Sequence, residues 1–122
     1  MCINISAALS ATMQSAITAA DSMDADIRVV DSTSITVGLG SIVIAAAEAA
    51  KGGASADEVV AIAESMSART HVFGALDTLE NLQKGGRIGG AQALLGSMLS
   101  IKPLIDISTC LLYTSPSPRD IS

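Results

Sequence analysis

Apolar positions along the chain alternate between short continuous runs and stretches at helical spacing. Cys2 to Ser6 reads as a short buried strand. Met13, Ala16, Ile17 and Ala20 then recur at the spacing of one helix face, with Ser10 just ahead of them. Ile27 to Val30 is a second strand, ended by Asp31-Ser32. A helix between two strands makes them parallel, because a tight hairpin is no longer available. Ile35 to Ala50 is apolar for most of its length and closes with Glu48 and Lys51 before Gly52-Gly53. At sixteen residues it is short for a membrane span, which needs about 20, so the pattern predicts a helix packed on a sheet. Ser55-Ala56-Asp57-Glu58 has capping-box spacing, and Val59, Val60, Ile62, Ala63 and Met66 follow at helical spacing.

The rest of the chain is organised around Leu79 to Ile105. His71 to Leu76 reads as the strand entering this stretch and Lys102 to Ile107 as the strand leaving it. Asp77 with Glu80 has the spacing of another capping box, and Gly85 is the expected left-handed residue that ends its helix. A second helix is predicted from about Ala91, with Leu94, Leu95, Met98 and Leu99 on its apolar face, stopping before Pro103.

Composition narrows the function classes. An apolar content of 49% excludes a disordered chain, and an aromatic content of 2% leaves a core of small aliphatics. Seven Lys and Arg against twelve Asp and Glu give a net charge of −5, the wrong sign for a nucleic-acid backbone. Cys2 and Cys110 are far apart and offer neither a disulfide framework nor metal spacing. No basic region precedes an apolar run at the start, so a cytoplasmic protein without a membrane span is expected.

Motifs for chemistry are sparse. Gly38-Leu39-Gly40 has Val43 where a dinucleotide fingerprint needs its third glycine, and no acidic residue stands at the end of a following strand. Close helix–sheet packing accounts for these glycines better. Gly85 to Gly90 lacks the Lys-Ser/Thr that a phosphate loop requires, so Arg87 sits at a helix–helix corner. His71 has no cluster of metal-ligating neighbours and reads as a strand-end residue. Ser10 is the strongest candidate, since a hydroxyl beside the unpaired amides of a helix start suits a carboxylate. Its plain alternative is a helix cap worth about 1 kcal/mol.

Three segments together resemble one family. Leu79 to Ile105 fits the pattern LxxLxKGGRIxxAxxxxGxxLxIKPxI, and Ile5 to Ala16 resembles ISxxLSGTxQSA. Asp31-Ser32 with the later Gly38-Leu39-Gly40 fits the same spacing. The chain thus resembles the DegV family, the fatty-acid-binding subunits of bacterial fatty acid kinase. The resemblance implies a fragment of a two-domain α/β fold: a parallel strand–helix–strand unit, then the start of a second α/β domain. It implies a carrier that presents the acyl carboxylate of a long-chain fatty acid to the kinase catalytic subunit, without a cofactor and without catalysis of its own. Ser10 matches the family serine at the head group, Thr12 is the weaker neighbour, and Ala11 stands where the family has glycine. Arg87 falls where the second domain would face the kinase. The competing reading is a small α/β hydrolase or transferase using Ser10 or Arg87.

Residues 1–68 are then expected to belong to the first domain and 69–109 to the second. The abrupt opening strand suggests that the true start lies upstream. Residues 110–122 change composition sharply, and CLLYTSPSPRD resembles the conceptual translation of a transposase adapter used for sequencing libraries. A metagenomic reading frame cut by the end of its insert is the expectation, with few contacts made by this tail.

Overall fold

The computed structural model describes residues 1–95, 102–107 and 113–115. The chain divides into two compact units, Met1–Thr70 and His71 onward. Met98 and Leu99, expected on a helix face, lie outside the described residues.

In the first unit, β1 (Cys2–Asn4) pairs in parallel with β2 (Val29–Asp31), with Ile3 opposite Val30. The helix between them, α1 (Thr12–Asp21), lies against both strands. Met13, Ala16, Ile17 and Ala20 are its half-buried residues, the face that the spacing predicts. Both strands are shorter than expected because the backbone turns away at their ends. Beyond Asn4, the Ser6 N–H donates to Ser34 O and Ser6 O accepts from Leu9 and Ser10. Before Val29, Ile27 N–H folds back on Ala25 O.

Helices α2 (Thr36–Lys51) and α3 (Ala56–Ser67) pack side by side over this pair. Gly38, Ile42 and Ala46 form the buried stripe of α2, and Val59 and Ala63 that of α3. With Val30 these close a core of small aliphatics, flanked by Ile3, Ala49, Ala54, Val60 and Met66. Burying an isoleucine such as Ile42 completely is worth about 1.5–3 kcal/mol. The other side of α2 stays open, with Val37 79% and Ile44 61% exposed. Of the two glycines assigned to close packing, Gly38 is buried, but a Cβ at Gly40 would meet nothing within 4 Å. Packing therefore does not explain Gly40.

The capping box of α3 forms as its spacing predicts. Ser55 Oγ accepts from Glu58 N–H at 3.3 Å, and Glu58 Oε2 accepts from Ser55 N–H at 2.7 Å. Arg28 reaches from the start of β2 to Asp26 and to Asp57 in the first turn of α3. Both carboxylates are exposed, so this tie contributes little to stability.

In the second unit β3 (Phe73–Ala75) and β4 (Leu104–Asp106) are antiparallel, with Gly74 opposite Ile105. Leu76 N–H to Pro103 O and Ile107 N–H to Val72 O extend the ladder at its ends. Leu79, Ile88, Ala91 and Ile105 make a separate small core. The helix α4 (Glu80–Lys84) is shorter than its pattern, and the expected Asp77–Glu80 capping box does not form. Leu79 is the residue before the helix and is buried, Asp77 pairs with Lys102 at 3.2 Å, and Glu80 N–H bonds to Thr78 Oγ1 instead. Nor is Gly85 the left-handed residue: it keeps helical angles, and Gly86 turns to φ +71°. After this corner Gly89–Leu94 is a 3₁₀ helix, where an α-helix from about Ala91 was expected. Bonds from Ala91 N–H to Ile88 O and from Leu95 N–H to Gln92 O set the tighter winding, and two glycines favour a short run of it.

A third strand, β5 (Tyr113–Ser115), pairs antiparallel with β4, setting Thr114 opposite Ile105. The tail was expected to make few contacts, yet this part of it makes a ladder. Tyr and Thr are good strand formers, and β4 would otherwise leave a row of unpaired backbone groups at its edge.

Candidate functional site

The loop from β1 to α1 carries Ser10 and Thr12. Ser10 Oγ lies 2.7 Å from Thr12 Oγ1 and accepts from Thr12 N–H at 3.3 Å. The residue at the helix cap itself is Ala11, which makes no side-chain cap, so Ser10 serves the first turn from one position further out. The pair sits at the positive end of α1, where first-turn amides have no carbonyl of their own helix to bond. Ser10 is half-buried and Thr12 exposed, so both hydroxyls can meet a ligand.

Alongside runs the loop from β2 to α2, at the same carboxyl-end edge of the parallel strands. Asp31 bridges the two loops. Its Oδ1 accepts from Thr33 N–H at 2.8 Å and from Ala7 N–H at 3.2 Å, and its Oδ2 lies 3.3 Å from the same Ala7 N–H. Ser6, Ser32 and Ser34 are buried beneath. Ser32 Oγ donates to Ser34 O and accepts from Ser34 N–H, while Ser32 N–H bonds to Asn4 O. Ser34 Oγ is buried without a protein partner among the described residues. Thr33 and Thr36 hold φ of +47° and +49°, a region where a β-branched residue is strained. Asp31 ends β2 as its position predicts, but the hydrogen-bond network around it was not expected. Its signal was the Asp-Ser-Thr-Ser run, a composition that favours side-chain-to-backbone turns.

The other candidates stand apart from that loop pair in the chain. Arg87 belongs to the second unit, where it is exposed and donates from Nη1 to Gly85 O at 2.8 Å. His71 stacks on Phe73 with ring centroids 6.5 Å apart, consistent with a strand-end residue. An apolar hollow of about 240 Å³ opens beside Met1, Ile3, Val43, Ala47, Ala50 and Val59 and presents no titratable side chain. Among the described residues no cluster could hold a metal, and no helix is long and apolar enough to cross a membrane.

The model of a family described as uncharacterised protein, DegV family COG1307, matches residues 1–115. This chain belongs to the DegV family. The match runs past Cys110 into the segment resembling adapter sequence. A DegV domain-containing protein of Streptomyces coelicolor is 45% identical over 105 residues, covering 86% of this chain and 37% of the relative. A DegV family protein from Thermus thermophilus, solved with regard to its fatty acid binding, superposes with a TM-score of 0.81 at 36% identity. That likeness covers 95% of this chain and 42% of the other. DegV from Bacillus subtilis, a fatty acid binding protein, gives a TM-score of 0.70 at 32% identity, over 95% of this chain and 43% of the other. The chain therefore spans about two fifths of the length of these relatives, and its α/β architecture is a fragment of their fold.

Proposed function

We propose that this segment supplies part of the head-group site of a fatty-acid carrier. Ser10 and Thr12 donate to the carboxylate of a long-chain fatty acid at the start of α1. The observation that carries the reading is the hydroxyl pair, 2.7 Å apart at a helix N-terminus, in a chain whose family members from Thermus thermophilus and Bacillus subtilis bind fatty acid. Hydroxyls and first-turn amides together form a ready anion site. The partner of Ser10 is another hydroxyl, a far weaker base than a histidine or carboxylate, so the pair suits binding better than nucleophilic attack. The carrier works in the cytoplasm and presents the carboxylate to a kinase catalytic subunit, with Arg87 as the contact on the second domain.

The test is a titration of a full-length DegV protein carrying this segment with a long-chain fatty acid. A hydrogen bond to a charged group is worth about 1.5–3 kcal/mol, so Ser10→Ala weakens binding about tenfold or more. Ser10→Thr keeps the hydroxyl and loses less. Equal affinity of folded wild type and Ser10→Ala would reduce Ser10 to a helix cap.

A further inference from the structure

We infer that Asp31 is a positioning residue for this head-group site, the staple that holds the Ser10 loop in its binding conformation. The inference rests on the reading of Ser10 just given. Its basis is the route of the hydrogen bonds. Asp31 ends β2, and its carboxylate takes an N–H from each neighbouring loop, Ala7 on one side and Thr33 on the other. Ala7 adjoins Ser6, whose N–H goes to Ser34 O and whose carbonyl receives the N–H of Ser10 itself at 3.2 Å. Asp31 thus reaches Ser10 through one backbone turn, without touching it.

The surroundings show a mould rather than a chance contact. The serines beneath are buried, Ser6 and Ser32 completely, and their hydrogen bonds fix Ser34 against Ser6. Thr33 accepts a left-handed conformation, and the shortest of Asp31's bonds goes to the N–H of that strained residue. Strain of this kind persists where neighbouring contacts over-determine the backbone. Four exposed or half-buried residues from Ala7 to Ser10 have little burial of their own to order them. A loop so placed keeps its shape through such tethers.

Geometry also separates the carboxylate's charge from its shape. Oδ1 alone reaches both N–H groups, so Asp31→Asn with its oxygen in that position retains both bonds. Asp31→Ala loses them. Asp31→Ser can still turn back on Thr33 N–H but is too short to span to Ala7.

The experiment uses the full-length protein carrying this segment and reads two quantities, amide exchange at Ala7 and Ser10 and affinity for cis-parinaric acid. In Asp31→Ala, exchange at both amides rises about tenfold or more and affinity falls about tenfold, the scale of one or two lost charge-assisted bonds. Asp31→Asn stays within about threefold of wild type on both. In the Ser10→Ala background, Asp31→Ala costs less than about threefold further, because a residue that acts through Ser10 has nothing left to position. An equal tenfold loss in both backgrounds would overturn the inference, as would unchanged exchange in Asp31→Ala. If Asp31→Ala does not fold, Asp31→Ser is read by the same criteria. If the wild type binds no cis-parinaric acid, the carrier reading fails, and exchange alone then decides whether Asp31 orders the Ser10 loop.

Discussion

Lys51-Gly52-Gly53 and Lys84-Gly85-Gly86 end two helices by the same pair of bonds. In the first, Gly53 N–H donates to Ala50 O and Ala54 N–H to Ala49 O; in the second, Gly86 N–H donates to Gln83 O and Arg87 N–H to Leu82 O. Each is a Schellman motif, with the second glycine left-handed at φ +92° and +71°. The helices they close could hardly differ more. α2 runs sixteen residues with a buried stripe, whereas α4 runs five and buries none. A local stop signal is thus sufficient to end a helix and says nothing about how far back it began. Length comes from an apolar face that finds a partner, as α2 finds α3.

That difference is tested most strongly in the cores. Ile42 is fully buried in the α2–α3 seam, and Ile42→Ala costs about 2–5 kcal/mol of the first unit's stability. Leu82, the half-buried residue of α4, loses roughly 1 kcal/mol on the same truncation. Native-state hydrogen exchange, read helix by helix, separates the two. Comparable losses would mean that α4 is held by its own packing as firmly as α2.

The two corners themselves should respond alike. A Cβ at Gly53 or Gly86 meets nothing within 4 Å, so alanine there suffers only the left-handed backbone, roughly 1–2 kcal/mol. Asparagine, which tolerates that conformation, loses less. At Gly52 and Gly85 the obstacle is space, since a Cβ would lie 3.3 Å from Ala49 O and 3.2 Å from Asn81 O. Asparagine gives no relief at those two. Exchange at Ala54 and Arg87 amides, which close the motifs, reports each loss, and a tolerant Gly53→Ala would show that the cap is dispensable when the helix is well packed.

How much of this could be read beforehand follows the same division. The half-buried face of α1 and the box at Ser55 depend on residues close in sequence, and the parallel pairing of β1 with β2 follows from the strand–helix–strand order, so spacing and order carried the information. The shift of the left-handed residue from Gly85 to Gly86 was not legible, because either glycine could take it. The start of α4 was set by Leu79 joining Ile88, Ala91 and Ile105, contacts that no local window contains. The candidate site divides likewise. Ser10 and Thr12 were visible as a pair at a helix start, while the staple through Asp31 spans 24 residues to Ala7 and needed the parallel strands in place. The ladder on Tyr113–Ser115 was hidden for another reason: the backbone of β4 pairs with any adjacent segment able to extend.

The smallest expected effects lie at the two helix starts, and they discriminate most finely. Ser55→Ala removes one half of a formed capping box and costs about 1 kcal/mol. Asp77→Ala removes only an exposed pair with Lys102 and costs less than about 0.5 kcal/mol, although the sequence spacing of the two boxes is identical. Acid adds a second reading of the first box. Hydrogen bonds from the Ser55 backbone N–H, and then from its side chain, hold the Glu58 carboxyl below its ordinary value. A depressed carboxyl stabilises the folded helix at pH above its unfolded value, and that contribution is lost as pH falls through the lower folded value. The start of α3 should therefore fray in acid, at pH below the ordinary glutamate value. Asp26 is lowered by its bond to Arg28 and weakens over the same range, so a global melt cannot separate them. Exchange at the Glu58 and Val59 amides can, and Glu58→Gln, which carries no charge to lose, should flatten their response to pH. In Ser55→Ala the backbone donor survives, so a reduced response should remain. A Glu58→Gln variant that still frays in acid as the wild type does would show that the acid-sensitive group is not Glu58.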